Sequence, residues 1–205
     1  MKEKDIYLIR HGQTTLNAEG KALGQSDIGL TKEGVEEVER LAQHLSGLGV
    51  RPDRIYTSPL VRAKRTAQLL QNSLGGVIEE NEVLREINYG IYEGKDKQFM
   101  RKIGYGYYSQ KMIEGRGETV EELEQKIKHF LNFLLQIDDS SVLIVTHAFT
   151  ASVIAQIMMG VPRTFPNIQP LSTADYSHFR VEKGGENVVN ILSIQRNCLK
   201  GLLNI

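Results

Sequence analysis

The stretch DIYLIRHGQT, residues 5–14, runs from a compact apolar segment, Ile6 to Ile9, straight into Arg10, His11 and Gly12. An apolar run of this length without helical spacing reads as a buried β-strand. A second segment, SVLIVTHA (residues 141–148), repeats the pattern with a longer run of branched residues that ends at His147. Two strands that each finish on a histidine set the frame for the rest of the chain.

Between and around them the apolar pattern alternates. In LTKEGVEEVERLAQHLSGLG, Thr31 is a helix N-cap and Val35, Val38, Leu41, Ala42 and Leu45 recur at helical spacing, with Gly47 and Gly49 as the stop. RIYTS reads as a short strand, and Ser58-Pro59 opens a helix running through Leu70. Thr119 caps a helix carrying Val120, Leu123, Ile127, Phe130, Leu131 and Leu134, and residues 149–159 are helical in pattern. DYSHFRVE and NVVNILSI read as two strands joined by a turn at Lys183-Gly184-Gly185-Glu186. Strands separated by helices imply an α/β fold, a mainly parallel central sheet covered by helices on both faces. Such sheets bind ligands outside the carboxyl ends of their strands.

The 205 residues fit one domain, 1–205. A basic, aromatic segment, KDKQFMRKIGYGYYSQKM, breaks the helical pattern, so we expect a lid-like excursion at about 95–118 over one end of the sheet. Lys plus Arg and Asp plus Glu both number 25, which argues against nucleic acid as a partner but leaves room for a local basic pocket. Cys198 is the only cysteine, so no intramolecular disulfide forms, and no CxxC or HExxH pair points to a metal. The first apolar run is too short for a signal or a membrane span, so a cytoplasmic protein without membrane association is expected. The apolar residues of CLKGLLNI fit docking on this chain or on a partner equally, and the oligomeric state stays open.

If both histidine strands are parallel, His11 and His147 lie on one rim of the sheet. RIYTS ends there too, and PLVRAKRTA places Arg62 on the first turn of the following helix. Arg10, Arg62 and two histidines on one rim make a site for a small dianion, with helix N-termini adding N–H donors. Taken singly, each residue has a plainer reading: a strand-end histidine is commonly a satisfied polar group, and Arg62 or Glu86 an ordinary solvated charge.

Taken together, these motifs resemble the histidine phosphatase superfamily, the phosphoglycerate mutase-like proteins with a three-layer sandwich fold. LIRHGQTTLN, LTKEG, TSPLVRAKRTAQ, LREINYGIYEG, GETVEEL and VTHA match in order along most of the chain. The resemblance implies a two-step phosphoryl transfer without metal or organic cofactor. His11 would attack phosphorus and form a phosphohistidine, which water then hydrolyses. Arg10 and Arg62 would disfavour the imidazolium by like charge and bind the transferring oxygens. His147 would be a further phosphate ligand, cationic when the dianion is bound. Thr14, Asn17 and Ala148 would complete the phosphate site, and Gly12 would let the chain turn sharply. Glu86 would be the general acid and then the base, protonated in the first step through partial burial and a neighbouring phosphate. Leu23, Gly24, Tyr89 and Lys97 would contact the substrate.

Departures from the family pattern bear on the substrate. A mutase is associated with a longer insertion after the acid, containing a lysine and an adjacent arginine pair. Lys97 falls at the lysine position, but no adjacent arginine pair follows before Arg116, and the segment is short. Hydrolysis of a small phosphorylated metabolite is therefore expected, with phosphoglycerate mutase and a weakly catalytic phosphate-dependent binding protein as alternatives. Many of the phosphatases carry glutamine before the glycine at position 24; here Leu23 stands there and Gln25 comes later, so either the loop is shifted or a polar contact is lost. Phe149 either narrows the pocket or packs in the core. Tyr105, Tyr107 and Tyr108 either stack on a leaving group or anchor the excursion.

Overall fold

The structure, a computed structural model, describes residues 3–102, 116–161, 171–183 and 189–197. Tyr105, Tyr107 and Tyr108, most of the expected excursion, the centre of the 183–186 turn and the C-terminal CLKGLLNI lie outside these described residues.

Six strands form one sheet: β1 (Glu3–Arg10), β2 (Arg54–Thr57), β3 (Val77–Glu80), β4 (Ser141–Thr146), β5 (Tyr176–Lys183) and β6 (Val189–Asn197). Their order is β3-β2-β4-β1-β5-β6. The first four in that order are mutually parallel, whereas β5 runs antiparallel to β1 and β6 antiparallel to β5. This is the mainly parallel sheet expected.

Alternation of side chains along the strands creates two cores. On one face Ile6, Leu8, Tyr56, Val142, Ile144, Phe179 and Val181 pack against helices α5 (Val120–Leu134) and α6 (Ala148–Met159). On the other, Ile9, Ile55, Leu143, Val145 and Tyr176 pack against α2 (Lys32–Gly47) and α3 (Val61–Leu74). Two shorter helices, α1 (Thr15–Ala18) and α4 (Lys97–Lys102), lie in the connections. Covering both faces explains why β4 reads as a continuous apolar run.

Helix ends follow their local chemistry. The Thr31 hydroxyl accepts from Gly34 N at 3.0 Å, and Thr119 with Glu122 forms a reciprocal capping box. The helix after β2 starts later than the Ser58-Pro59 signal implied and extends beyond Leu70. Leu60 is its N-cap and has no side chain to serve, so Asp27 Oδ1 accepts from Val61 N at 2.7 Å instead. Gly12 has no positive φ, and what it permits is a close approach. A Cβ there would sit 2.5 Å from Gly34 O, and a Cβ on Gly34 would collide with Gln13 O. The pair of glycines lets the start of α2 lie directly against the chain leaving β1.

Candidate active site

The carboxyl ends of β1 and β4 are adjacent, so His11 and His147 meet with ring centroids 5.0 Å apart. The ring of His11 has one possible donor direction: Nδ1 lies 2.7 Å from Gly12 O, which only accepts. Nδ1 therefore carries the hydrogen, and Nε2 presents a lone pair. That lone pair accepts from Arg62 Nε at 3.2 Å. The same Nε–H reaches Nδ1 of His147, also at 3.2 Å, so His147 carries its hydrogen on Nε2 and donates to Ser58 Oγ at 2.8 Å.

Arg62 is completely buried. Its Nη1 and Nη2 donate to the carbonyls of Ser26 and Gly24 at 2.7 and 2.8 Å. Burial lowers its pKa to about 10, opposed by Glu86, Asp27 and Glu93. Arg10 donates from Nη1 to Leu171 O at 2.7 Å, and its buried Nε has no hydrogen-bond partner among the described residues. A buried guanidinium nitrogen without a partner suits an incoming anion.

These cations fix the protonation of both rings. Burial first, then Arg62 and Arg10, hold His11 well below the ordinary imidazole value; Gly12 opposes and Lys97 adds to the lowering. Burial, then Arg62, His11 and Arg10, does the same for His147. Both rings are neutral near pH 7, so a cationic His147 requires the dianion that was assumed for it.

Glu86 is buried at 5% exposure and sits against the N-terminus of α6. Its carboxylate accepts from Phe149 N (3.1 Å), Thr150 N (3.0 Å) and its own neighbour Ile87 N (3.1 Å). Hydroxyls hold the flanking main chain: Thr146 donates to Leu84 O at 2.7 Å, and Thr150 lies 2.8 Å from Arg85 O. The charge of Glu86 acts on both Arg10 and Arg62, which puts it on the same rim.

The remaining expected residues divide. Thr14 and Asn17 form a capping box on α1; Asn17 Oδ1 accepts from Thr14 N at 3.2 Å and Thr14 Oγ1 at 3.0 Å, which turns the Asn17 NH2 group away from Thr14. Ala148 is the first residue of α6, beside His147. Tyr89 acts electrostatically on Arg10 and packs against the α5–α6 core, and Lys97 acts on His11. Leu23 is buried, and Gly24 contributes its carbonyl to Arg62. Gln25 donates from Nε2 to the Glu86 carbonyl at 3.1 Å, so the glutamine one place late ends on the main chain of Glu86. Phe149 packs against the core. Three contributors were not anticipated: Ser58, Thr66 and Glu93. Thr66 accepts from Gly12 N at 3.2 Å and donates to Arg62 O at 2.8 Å. Ser58 and Thr66 both fall within TSPLVRAKRTAQ, where a hydroxyl next to a proline and one four residues after an arginine were the available signals.

Among the described residues, no group of three or more His, Cys, Asp and Glu side chains is arranged to hold a metal ion, and no helix is long and apolar enough to cross a membrane.

The sequence profile of the histidine phosphatase superfamily, branch 1, matches residues 6–193. A Cronobacter sakazakii protein named "Probable phosphoglycerate mutase GpmB" is 30% identical over 165 residues, covering 77% of this chain and 75% of that protein. Among solved structures, the α-ribazole phosphatase from Shigella flexneri superposes with a TM-score of 0.76 at 22% identity, covering 98% of this chain and 100% of that one. A mycobacterial glucosyl-3-phosphoglycerate phosphatase superposes with a TM-score of 0.75 at 20% identity, covering 93% and 98%. At these identities the two structures bear on the fold.

Proposed function

The chain belongs to the histidine phosphatase superfamily, branch 1, and from that premise we propose that it is a phosphomonoesterase for a small phosphorylated metabolite, working through a phosphohistidine on His11. The observation that carries the reading is the state of one atom: Nε2 of a neutral imidazole, its lone pair turned toward a guanidinium, in a site where a second guanidinium has a buried nitrogen to spare.

In the first step Nε2 of His11 forms a bond to phosphorus while the bond from phosphorus to the ester oxygen breaks. Glu86 passes a proton to that oxygen, and the alcohol leaves. Arg10, Arg62 and His147 neutralise charge on the three phosphoryl oxygens, with neutral bonds from the Asn17 amide, which Thr14 holds in place, and from Ala148. In the second step Glu86 takes a proton from water as the water oxygen attacks phosphorus, the N–P bond breaks, and inorganic phosphate leaves a restored His11. The Nδ1–H bond to Gly12 O keeps the ring oriented through both steps.

The Shigella flexneri and mycobacterial proteins are named for the hydrolysis of phosphorylated metabolites, which supports hydrolysis here. The relative named as a phosphoglycerate mutase keeps that activity as the second reading. The short segment after Glu86 favours the first. The test supplies a panel of phosphomonoesters, and separately 3-phosphoglycerate with trace 2,3-bisphosphoglycerate, to the protein and to His11→Ala. Release of inorganic phosphate that is lost in the variant supports the phosphatase. Formation of 2-phosphoglycerate with little phosphate release overturns it in favour of the mutase.

A further inference from the structure

Glu93 touches none of the groups assigned to the phosphate, yet its carboxylate is bonded to the loop that aims Arg62. Oε1 accepts from Gln25 N at 2.7 Å and Oε2 from Ser26 Oγ at 2.6 Å. The approach depends on Gly24, which has a left-handed φ of +53° and where a Cβ would run into the Glu93 carboxylate. From this loop the carbonyls of Gly24 and Ser26 accept from the two Nη groups of Arg62, and the Gln25 side chain donates from Nε2 to the carbonyl of Glu86. The segment holding Glu93 is fastened to the same stretch of chain by Gly94 N to Ala22 O and Ala22 N to Lys95 O, both 2.8 Å.

We propose that Glu93 is a positioning residue: by clamping residues 24–26 it sets the Arg62 guanidinium against Nε2 of His11 and holds the main chain at Glu86. The proposal rests on the phosphohistidine reading for its catalytic meaning. Its physical basis is that a planar fork needs both acceptors at fixed spacing to keep its Nε–H on target. Those acceptors are main-chain atoms of an irregular loop, so a side chain must hold the loop. A carboxylate does this with two charge-assisted bonds.

A simpler role for Glu93 is to balance the charge of Arg62, and the two roles predict opposite results. The groups facing His11 are Arg62 from α3, Arg10 from β1, His147 after β4 and Lys97 from α4. Removing only a negative charge leaves Arg62 in place and pushes the His11 titration further down. Releasing Arg62 takes a cation from the ring and moves the titration up, toward the ordinary imidazole range.

The experiment follows the His11 ring by NMR across pH in wild type, Glu93→Gln and Glu93→Ala, with kcat and KM on a phosphomonoester. We expect an upward shift and a loss in kcat of about a hundredfold in Glu93→Ala, the scale of a misplacement near 1 Å. Glu93→Gln keeps an acceptor without the charge and should recover most of both. A folded Glu93→Ala, with unchanged near-UV circular dichroism, whose His11 titrates as in wild type or lower overturns the proposal. If that variant does not fold, Ser26→Ala removes one anchor alone: an upward shift supports the clamp and no shift overturns it. The titration needs no turnover, so inactivity of the wild type on every ester would sink the phosphatase reading while leaving the clamp testable.

Discussion

A single N–H of Arg62 is shared between two bases, Nε2 of His11 and Nδ1 of His147, each 3.2 Å away. It can be shared because the other two nitrogens of the fork are committed to Ser26 and Gly24 carbonyls. A lysine ammonium cannot reach two rings and two carbonyls in one plane. Arg62→Lys should therefore lower kcat/KM about a hundred- to a thousandfold, the usual cost of losing one oxyanion donor. Steady-state assay of the folded variant checks this, and a loss below tenfold would mean that charge alone suffices.

Glu86→Gln should lower kcat about a hundred- to ten-thousandfold, the range for removing a general acid. The loss should depend on the leaving group. An alkyl phosphate needs a proton on its departing oxygen, whereas p-nitrophenolate leaves without one. Equal losses on the two esters would argue that Glu86 acts by position rather than by proton transfer.

Two buried neutral imidazoles make stability depend on pH. Both His11 and His147 titrate below the ordinary value of 6.5 in the folded chain. Above that value they are neutral whether folded or unfolded, and their full contribution is present. Below it the unfolded chain binds protons that the folded one refuses, so stability falls as pH drops from 6.5 toward the folded values. The slope approaches two protons, about 2.7 kcal/mol per pH unit. Asp5 and Asp53, whose carboxyls are held below their usual range, lose their contribution only at lower pH. Urea midpoints between pH 8 and 5 measure the slope, and His11→Gln should reduce it by about half.

Gly34→Ala should destabilise by about 1–3 kcal/mol, because the new Cβ meets the main chain of Gln13, which has no rotamer with which to yield. Gly47→Ala is its control. That glycine ends the same helix with open space around its Cβ position, and the change should stabilise by about 0.5–1 kcal/mol. Urea midpoints that shifted the same way in both variants would contradict the close-approach account.

Several parts of this molecule were readable from residue order alone because local and global requirements agree in them. The run in β4 is apolar throughout since both its faces are covered, and Thr31 and Thr119 cap the helices they precede. The strand β3 went unread because VIEE is four residues long and exposed at the sheet edge, where burial imposes no pattern. The rim positions of His11, His147 and Arg62 follow from strand polarity, which the alternation of elements implies. The clamp at Glu93 does not follow from it. A carboxylate beside a glycine in a connection looks the same in sequence whether it faces water or a loop from residues 24–26. The close approach of Gly12 to Gly34 does not follow from strand polarity either, since a glycine needed for space and one needed for a turn leave the same letter in the chain.

Strand β1 sits inside the sheet, flanked by residues 141–146 on one side and 176–182 on the other. Among the six strands β1 comes first in sequence, and its neighbours β4 and β5 come fourth and fifth. On a ribosome His11 therefore emerges long before either strand that pairs with β1. The chain must reach residue 147 before His11 finds its fellow histidine, and residue 171 before Arg10 finds the Leu171 carbonyl. Such sequence-distant pairing folds slowly, because the loops must close before contacts repay them. A fragment that stops short of β4 would hold Arg10 and His11 without the strands that place them.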